Sequence, residues 1–258
     1  MMDRGLLIDL DGVLYQGDRI IPGAREAIRW IIQRQIPHVF ITNTTSRPRK
    51  SIVEKLSAFG ILAAENEILT PPIAACKWLE QHAFGPTKLF VPKTTLNDFA
   101  SIPQFEPNSK GVAAVVFGDC GESWTFASLN DGFNLLMENP QAVLVALGMT
   151  RYWRASERLQ LDVGPFVKAM EYATGREAVV LGKPSEQFFN AALQMMNCQP
   201  DNATMIGDDI IGDIRGAQRV GIRGVLVRTG KFRSSDLGGD VHPDAVIASI
   251  ANLPEIWE

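Results

Sequence analysis

Two carboxylates one residue apart, Asp9 and Asp11, close an apolar run near the start of the chain, Gly5–Leu10. Three later segments repeat the pattern of chemistry-bearing side chains directly behind an apolar run. Thr42 and Asn43 end the run His38–Thr42. Gly182-Lys183-Pro184 follows Ala178–Leu181. Gly207-Asp208-Asp209 follows Ala203–Ile206, with Asp213 shortly after. Open parallel sheets place their ligands at the carboxyl ends of the strands. If these runs are neighbouring strands, the carboxylates, the lysine and the Thr-Asn pair converge on one crevice.

Carboxylates gathered in that way repel one another unless a cation sits among them. Hard oxygen donors suit Mg²⁺, which takes one or two carboxylates together with water and substrate phosphate. Lys183 and Asn43 are the groups expected to hold phosphate oxygens. One carboxylate is then left to attack phosphorus and form an aspartyl-phosphate. A second, two residues on, can protonate the leaving oxygen and later deprotonate water. Enhancements for phosphate-monoester hydrolysis reach about 10²¹, so a site assembled from four segments is what that reaction demands.

The elements that must position these groups follow from periodicity. Behind the first strand comes a short hairpin-like segment, Val13–Ile21. Pro22-Gly23 then opens a helix with Ala27, Ile28, Ile31 and Ile32 on one face. A helix over Arg47–Phe59 stops at Gly60. Beyond Pro71-Pro72 the pattern predicts helix Ile73–His82, strands Lys88–Val91 and Val112–Phe117, helix Thr125–Met137 and strand Ala142–Ala146. Ser101–Lys110 and Met149–Asp162 read as irregular, and Gly164-Pro165 starts a helix that ends at Gly175. Strand Ala178–Leu181, helix Ser185–Asn197, strand Ala203–Ile206, helix Asp213–Val220 and strand Gly224–Val227 complete the alternation. Strands alternating with helices indicate an α/β protein with a doubly wound parallel sheet.

The segments DLDGVLY (Asp9–Tyr15), ITNTTS (Ile41–Ser46), GKPS (Gly182–Ser185) and MIGDDIIGD (Met205–Asp213) resemble the four ordered motifs of the haloacid dehalogenase superfamily. The resemblance implies a phosphohydrolase with a Rossmann-like core, Asp9 as nucleophile and Asp11 as general acid/base. It implies Mg²⁺ held by Asp9, the backbone carbonyl of Asp11, and Asp208. Thr42, Asn43 and Lys183 would bind the phosphoryl group, Asp213 would orient the metal shell or Lys183, and Asp209 ranks below it. The long segment between Asn43 and Lys183 is similar to the inserted α/β cap, of the C2 type, of subfamily IIA phosphatases. The expected division is a catalytic core of residues 1–72 and 176–258 with a cap of residues 73–175. Stretches of that cap, such as TPPIAACKWLEQ (Thr70–Gln81) and LQLDVGPFVKAMEYATG (Leu159–Gly175), with VRTGKFRSSD (Val227–Asp236) beyond it, resemble the phospholysine phosphohistidine inorganic pyrophosphate phosphatase group. Animal members of that group commonly carry Ser where this chain has Asp11. The fuller carboxylate pair favours broad monoester hydrolysis and weakens any transfer of phosphoamide specificity. Relatives often pair through their caps, which implies a homodimer.

Composition excludes other classes. The 258 residues are 46% hydrophobic and 21% charged, the balance of an ordinary globular chain. A formal charge of −4 supplies no drive toward nucleic acid or an anionic membrane. Cys76, Cys120 and Cys198 are scattered and form no CxxC pair, which points to the cytosol. The three histidines show no metal-ligand spacing, and no GxSxG elbow exists. Gly224–Phe232 mimics a phosphate loop but has Phe where Ser or Thr must bind Mg²⁺. In the inserted segment Asp119, Glu122, Arg151, Tyr152, Trp153 and Arg154 are candidates for selecting the leaving group. The expected function is hydrolysis of a small phosphorylated metabolite or pyrophosphate. The alternatives are a metal-independent dehalogenase, a phosphomutase and a binding protein of the same fold.

Overall fold

The computed structural model describes residues 4–155 and 158–257. In chain order its elements begin with β1 (Gly5–Asp9), β2 (Tyr15–Gln16), β3 (Arg19–Ile20), α1 (Ala24–Gln33), β4 (His38–Ile41), α2 (Arg49–Ala58) and β5 (Ile68–Leu69). Next come α3 (Pro71–His82), β6 (Thr87–Phe90), β7 (Ala114–Phe117), α4 (Phe126–Glu138), β8 (Val143–Ala146), β9 (Tyr152–Ala155), β10 (Arg158–Leu161) and α5 (Val163–Thr174). The chain finishes with β11 (Val179–Val180), α6 (Glu186–Met196), β12 (Ala203–Gly207), α7 (Gly216–Arg219), β13 (Arg223–Val227), β14 (Ala245–Ile247) and α8 (Leu253–Ile256).

The chain divides into two compact units. The first holds residues 1–42, 49–69 and 183–258, and the second holds residues 43–48 and 70–182. The first is built on a six-stranded sheet in the order β14-β13-β12-β1-β4-β5, parallel throughout. That is the doubly wound arrangement. β1 leads to β4 on one side and lies against β12 on the other, so the strand order reverses between β1 and β12, and a crevice opens beyond their carboxyl ends. β1 is buried along its whole length, which is why its sequence, GLLID, is continuously apolar up to the carboxylate. α1 covers the sheet with Ala24, Ala27, Ile28 and Ile31 buried. Each buried Ile there contributes about 1.5–3 kcal/mol. α6 is started by Ser185, whose hydroxyl accepts from the Phe188 amide at 3.3 Å, and it buries Phe188 and Phe189.

The second unit has its own four-stranded parallel sheet, β11-β8-β7-β6, and a separate core including Val115, Phe117, Leu144 and Val167. Two sequence expectations change here. The segment expected to be irregular, Met149–Asp162, contains an antiparallel hairpin, β9 with β10, in which Gln160 faces Trp153. Its apolar side chains do not alternate with a buried face: Tyr152, Trp153, Leu159 and Leu161 are all exposed, so the periodic signal of a strand is missing. The second change concerns β11. It pairs in parallel with β8, Val179 opposite Val145, and so belongs to this sheet rather than to the sheet of β1. The residues up to Gly182 therefore join the second unit, and the first resumes at Lys183.

Candidate active site

β1 delivers Asp9 to the strand switch point, 6% exposed and flanked by β4 and β12. The chain then turns tightly, because the Leu10 carbonyl accepts from the amides of Val13, Leu14 and Tyr15. Asp11 sits on this turn with an exposed side chain. Thr42 follows β4, is 9% exposed, and donates its amide to the Leu69 carbonyl at 3.1 Å. Asn43 opens the stretch of residues 43–48 assigned to the second unit, where it lines a cavity with Thr45 and Asp162.

Lys183 is 9% exposed and bridges two carboxylates. Its Nζ lies 2.5 Å from Asp9 Oδ1 and 2.7 Å from Asp213 Oδ1. The lysine was expected behind a strand of the catalytic sheet, but β11 belongs to the other sheet. It reaches Asp9 as the first residue of the returning chain.

Beyond β12 the backbone makes a wide π-helical turn, Ile210–Arg215, before α7, where a plain helix from Asp213 was expected. Asp209 starts the turn by accepting from the amides of Ile211 and Gly212 at 3.0 and 2.8 Å. The turn brings Asp213 back so that its Oδ2 accepts from the amides of Asp208 and Asp209, both at 3.1 Å. Asp213 thus ties the loop behind β12 to Lys183. Asp209 faces away from this group and pairs with Lys231 at 3.1 Å.

Carboxylate oxygens of Asp9, Asp208 and Asp213 all lie within 4.8 Å of one another, and all three residues are buried. The carboxylate cluster therefore includes Asp213, whereas Asp11 offers no side-chain oxygen to it. Asp208 Oδ2 accepts from the Lys231 amide at 2.7 Å, while Oδ1 is buried with no hydrogen-bond partner. An orphaned carboxylate oxygen beside two further carboxylates, with one ammonium among them, fits a divalent cation. The electrostatics agree. Burial pushes Asp9 up to about 7 against the pull of Lys183, with Asp213 and Asp208 adding to the rise. Burial likewise pushes Asp208 up to about 6, opposed by the Lys231 amide and reinforced by Asp213. For Lys183, burial works to lower the pKa, but Asp213 and Asp9 outweigh it and hold the ammonium protonated.

Sequence reasoning missed the turn after β13. Thr229 donates its hydroxyl to the Gly12 carbonyl, and the Lys231 amide holds Asp208. Gly12 and Gly230 pack around the same carboxylate: a Cβ on either would fall within about 2 Å of Asp208 Oδ2, at 1.9 and 2.0 Å. Both also have positive φ, +91° and +63°, which side chains rarely adopt. The available signal was the Thr-Gly-Lys run directly behind a fifth strand end, set aside as a failed phosphate loop.

With this geometry in view, comparison with known proteins is decisive. A family model described as haloacid dehalogenase-like hydrolase matches residues 6–101, and a second HAD-like hydrolase model matches residues 180–253. The human phospholysine phosphohistidine inorganic pyrophosphate phosphatase is 40% identical over 245 residues, covering 93% of this chain and 87% of that protein. The chain belongs to the haloacid dehalogenase-like hydrolases. The fold of this hydrolase is shared with a p-nitrophenyl phosphatase from Archaeoglobus fulgidus, with a TM-score of 0.87 at 23% identity over 99% of both chains. It is shared equally with NagD from E. coli, with a TM-score of 0.85 at 21% identity, covering 97% of this chain and 98% of that one. Among its described residues no helix is long and apolar enough to cross a membrane.

Proposed function

We propose that this hydrolase is a phosphatase that cleaves a small phosphorylated metabolite or pyrophosphate through an aspartyl-phosphate on Asp9, with Mg²⁺ as its metal. The observation that carries the reading is the division of labour at the two buried aspartates. Lys183 holds Asp9 Oδ1, and Oδ2 makes no hydrogen bond among the described residues, so one oxygen is oriented and the other is left to attack phosphorus. Asp208 keeps a buried oxygen without a partner.

Asp9, Asp208 and the backbone carbonyl of Asp11 would hold Mg²⁺, with Asp213 at the edge of the same carboxylate group. When bound, the ion neutralises carboxylate and phosphate charge. Asp9 Oδ2 forms the bond to phosphorus as the ester bond breaks. Asp11, exposed on the turn after β1, gives its proton to the departing oxygen and takes one from the water that then cleaves the aspartyl-phosphate. Lys183, Thr42 and Asn43 bind the phosphoryl oxygens. Lys183 is suited to this because its charge persists across the working pH range. The second unit acts as the cap that selects the leaving group. Three scattered free cysteines support a reducing, cytosolic compartment, and a homodimer through the cap is the expected assembly.

The test is phosphate release from p-nitrophenyl phosphate, pyrophosphate, sugar phosphates, nucleotides and phosphohistidine, with Mg²⁺ and with EDTA. Mg²⁺-dependent release that disappears in Asp9→Asn is the expected result. Turnover that survives EDTA would replace this reading with metal-independent chemistry such as dehalogenation.

A further inference from the structure

β13 ends at Val227, and the sheet order places β12 between it and β1. A turn beyond β13 therefore meets the turn beyond β1 only by passing over the end of β12, where Asp208 follows the strand. Two glycines allow the crossing. A Cβ on Gly230 would lie 2.5 Å from the Gly12 Cα, and one on Gly12 would lie 3.1 Å from the Gly230 Cα. Non-bonded carbons settle at about 3.5–4.0 Å, so a side chain at Gly230 would force the two turns apart.

At this crossing Thr229 donates its hydroxyl to the Gly12 carbonyl, across 217 positions of the chain. Gly12 is buried, and a buried carbonyl left without a donor is costly, so the bond favours one placement of the turn. Inside the turn the bonds are local. The Leu10 carbonyl accepts from the amides of Val13, Leu14 and Tyr15, and the Gly12 amide donates to the Tyr15 carbonyl at 2.6 Å. That amide shares a peptide plane with the Asp11 carbonyl. The plane is trans, so the two groups point in opposite directions, and the bond to Tyr15 aims the Asp11 carbonyl. The Gly12 carbonyl belongs to the next plane, and Thr229 fixes that one. With both planes held, Gly12 stays at its φ of +91°, and the backbone of Asp11 is held with it. Local bonds set the shape of the turn; the Thr229 bond sets where it sits on the sheet.

The Asp11 side chain is exposed and makes no hydrogen bond among the described residues, so its aim comes from this backbone. We infer that Thr229 is a positioning residue for Asp11: its hydroxyl, through the Gly12 carbonyl, holds the turn where Asp11 can deliver a proton to the departing oxygen. The inference rests on the reading of Asp11 as the acid of the phosphatase reaction. The chemical step is unchanged by it. Asp9 Oδ2 bonds to phosphorus, the ester P–O bond breaks with its electron pair going to the leaving oxygen, and the Asp11 proton goes to that oxygen. Thr229 touches neither substrate nor proton.

The consequence is a dependence on the leaving group. A nitrophenolate departs without a proton, whereas an alkyl oxygen needs one. An ill-placed acid therefore costs little on a p-nitrophenyl ester and much on an alkyl ester. Misplacement by about 1 Å can cost about 100-fold.

The experiment uses the whole chain with Mg²⁺ and three esters built on one ring size: p-nitrophenyl, phenyl and benzyl phosphate. They are compared by kcat/KM, which covers phosphoryl transfer up to loss of the leaving group. Thr229→Val keeps the branched shape and removes the hydroxyl. It should lose at least about tenfold on benzyl phosphate and less than about threefold on p-nitrophenyl phosphate, with phenyl phosphate between them. Its Tm should fall by no more than about 5 °C. Thr229→Ser keeps the donor and should return the wild-type ratio of the three esters. Asp11→Asn should show the same selective loss, and adding Thr229→Val to it should cost nothing further on benzyl phosphate. An equal loss on all three esters in Thr229→Val, or a ratio unchanged from wild type, overturns the inference while a selective loss in Asp11→Asn leaves the acid reading standing. Losses that multiply in the double variant overturn it too, since Thr229 would then act apart from Asp11. If Asp11→Asn itself loses equally on all three esters, the acid role of Asp11 falls and the positioning role falls with it.

Discussion

Lys183→Met removes the cation that two buried carboxylates share, and its cost follows from the geometry. Nζ sits 2.5 Å from Asp9 and 2.7 Å from Asp213, with all three residues less than a tenth exposed. Methionine fills nearly the same volume, so packing is preserved and the change is electrostatic. Removing one partner of a buried ion pair costs about 3–5 kcal/mol, because the remaining charge stays desolvated. For a chain of this size each kcal/mol moves Tm by about 2–4 °C, so the metal-free variant should melt about 10 °C below wild type. The assay is thermal unfolding in EDTA of wild type, Lys183→Met, Asp213→Asn and the double variant. Asp213→Asn should destabilise the wild type, since it strands Lys183. In the Lys183→Met background it should instead restore stability, because it removes an unpaired carboxylate. The coupling should exceed about 1 kcal/mol, as expected for residues in direct contact. Mg²⁺ should recover more stability in Lys183→Met than in wild type, since it supplies the missing positive charge. Additive effects of the two substitutions, or a Tm within a degree of wild type, would refute this account of the site.

Further expectations follow from the same site. Asp9→Asn should reduce Mg²⁺-dependent phosphate release below detection while the protein stays folded; an appreciable kcat would require a different nucleophile. Gly230→Ala places a Cβ 2.0 Å from Asp208 Oδ2 at a φ of +63°, so it should destabilise by more than about 1 kcal/mol and weaken divalent-cation binding in calorimetric titration. Lys231→Ala breaks only a largely exposed pair with Asp209, worth about 0–1 kcal/mol, and leaves the backbone donor to Asp208, so its Tm should stay near wild type. Asp9 and Asp208 have folded-state pKa values raised from 3.8 to about 7 and about 6 in the absence of metal. Between those values the native protein binds more protons than the unfolded chain. The stability linked to these groups is therefore full below about pH 4 and is lost as pH rises to about 7. In EDTA, the loss of Tm between pH 5 and 7.5 should be smaller in Asp9→Asn than in wild type. An unchanged pH profile in that variant would show that Asp9 ionises normally.

The amino-acid sequence by itself determined most of the local elements and named the polar groups that the fold gathers, Asp9, Lys183, Asp208 and Asp213. Apolar runs ending in Asp9, Thr42 and Gly207 became β1, β4 and β12, adjacent in one parallel sheet, because a strand buried on both faces must be apolar until its end. The family resemblance was also legible, since Asp9, Thr42, Lys183 and Asp208 occur in short contiguous motifs. The sequence did not reveal the hairpin β9–β10, whose exposed apolar side chains lack alternation, or the partner of β11. Strand pairing is a long-range choice: a two-residue strand such as Val179–Val180 carries no local mark of which sheet it joins, and only packing against β8 decides it. The same limit hid the Thr229–Lys231 turn, because its role exists only where the Lys231 amide meets Asp208 across the fold. The residue types announced a site with carboxylates and a lysine. Only the tertiary structure decided that Lys183 would bind Asp9 and Asp213 together, that Asp213 would join the carboxylate cluster, and that Asp208 would keep one buried oxygen open. Those are distances between groups remote in the chain, and burial fixes them, not spacing.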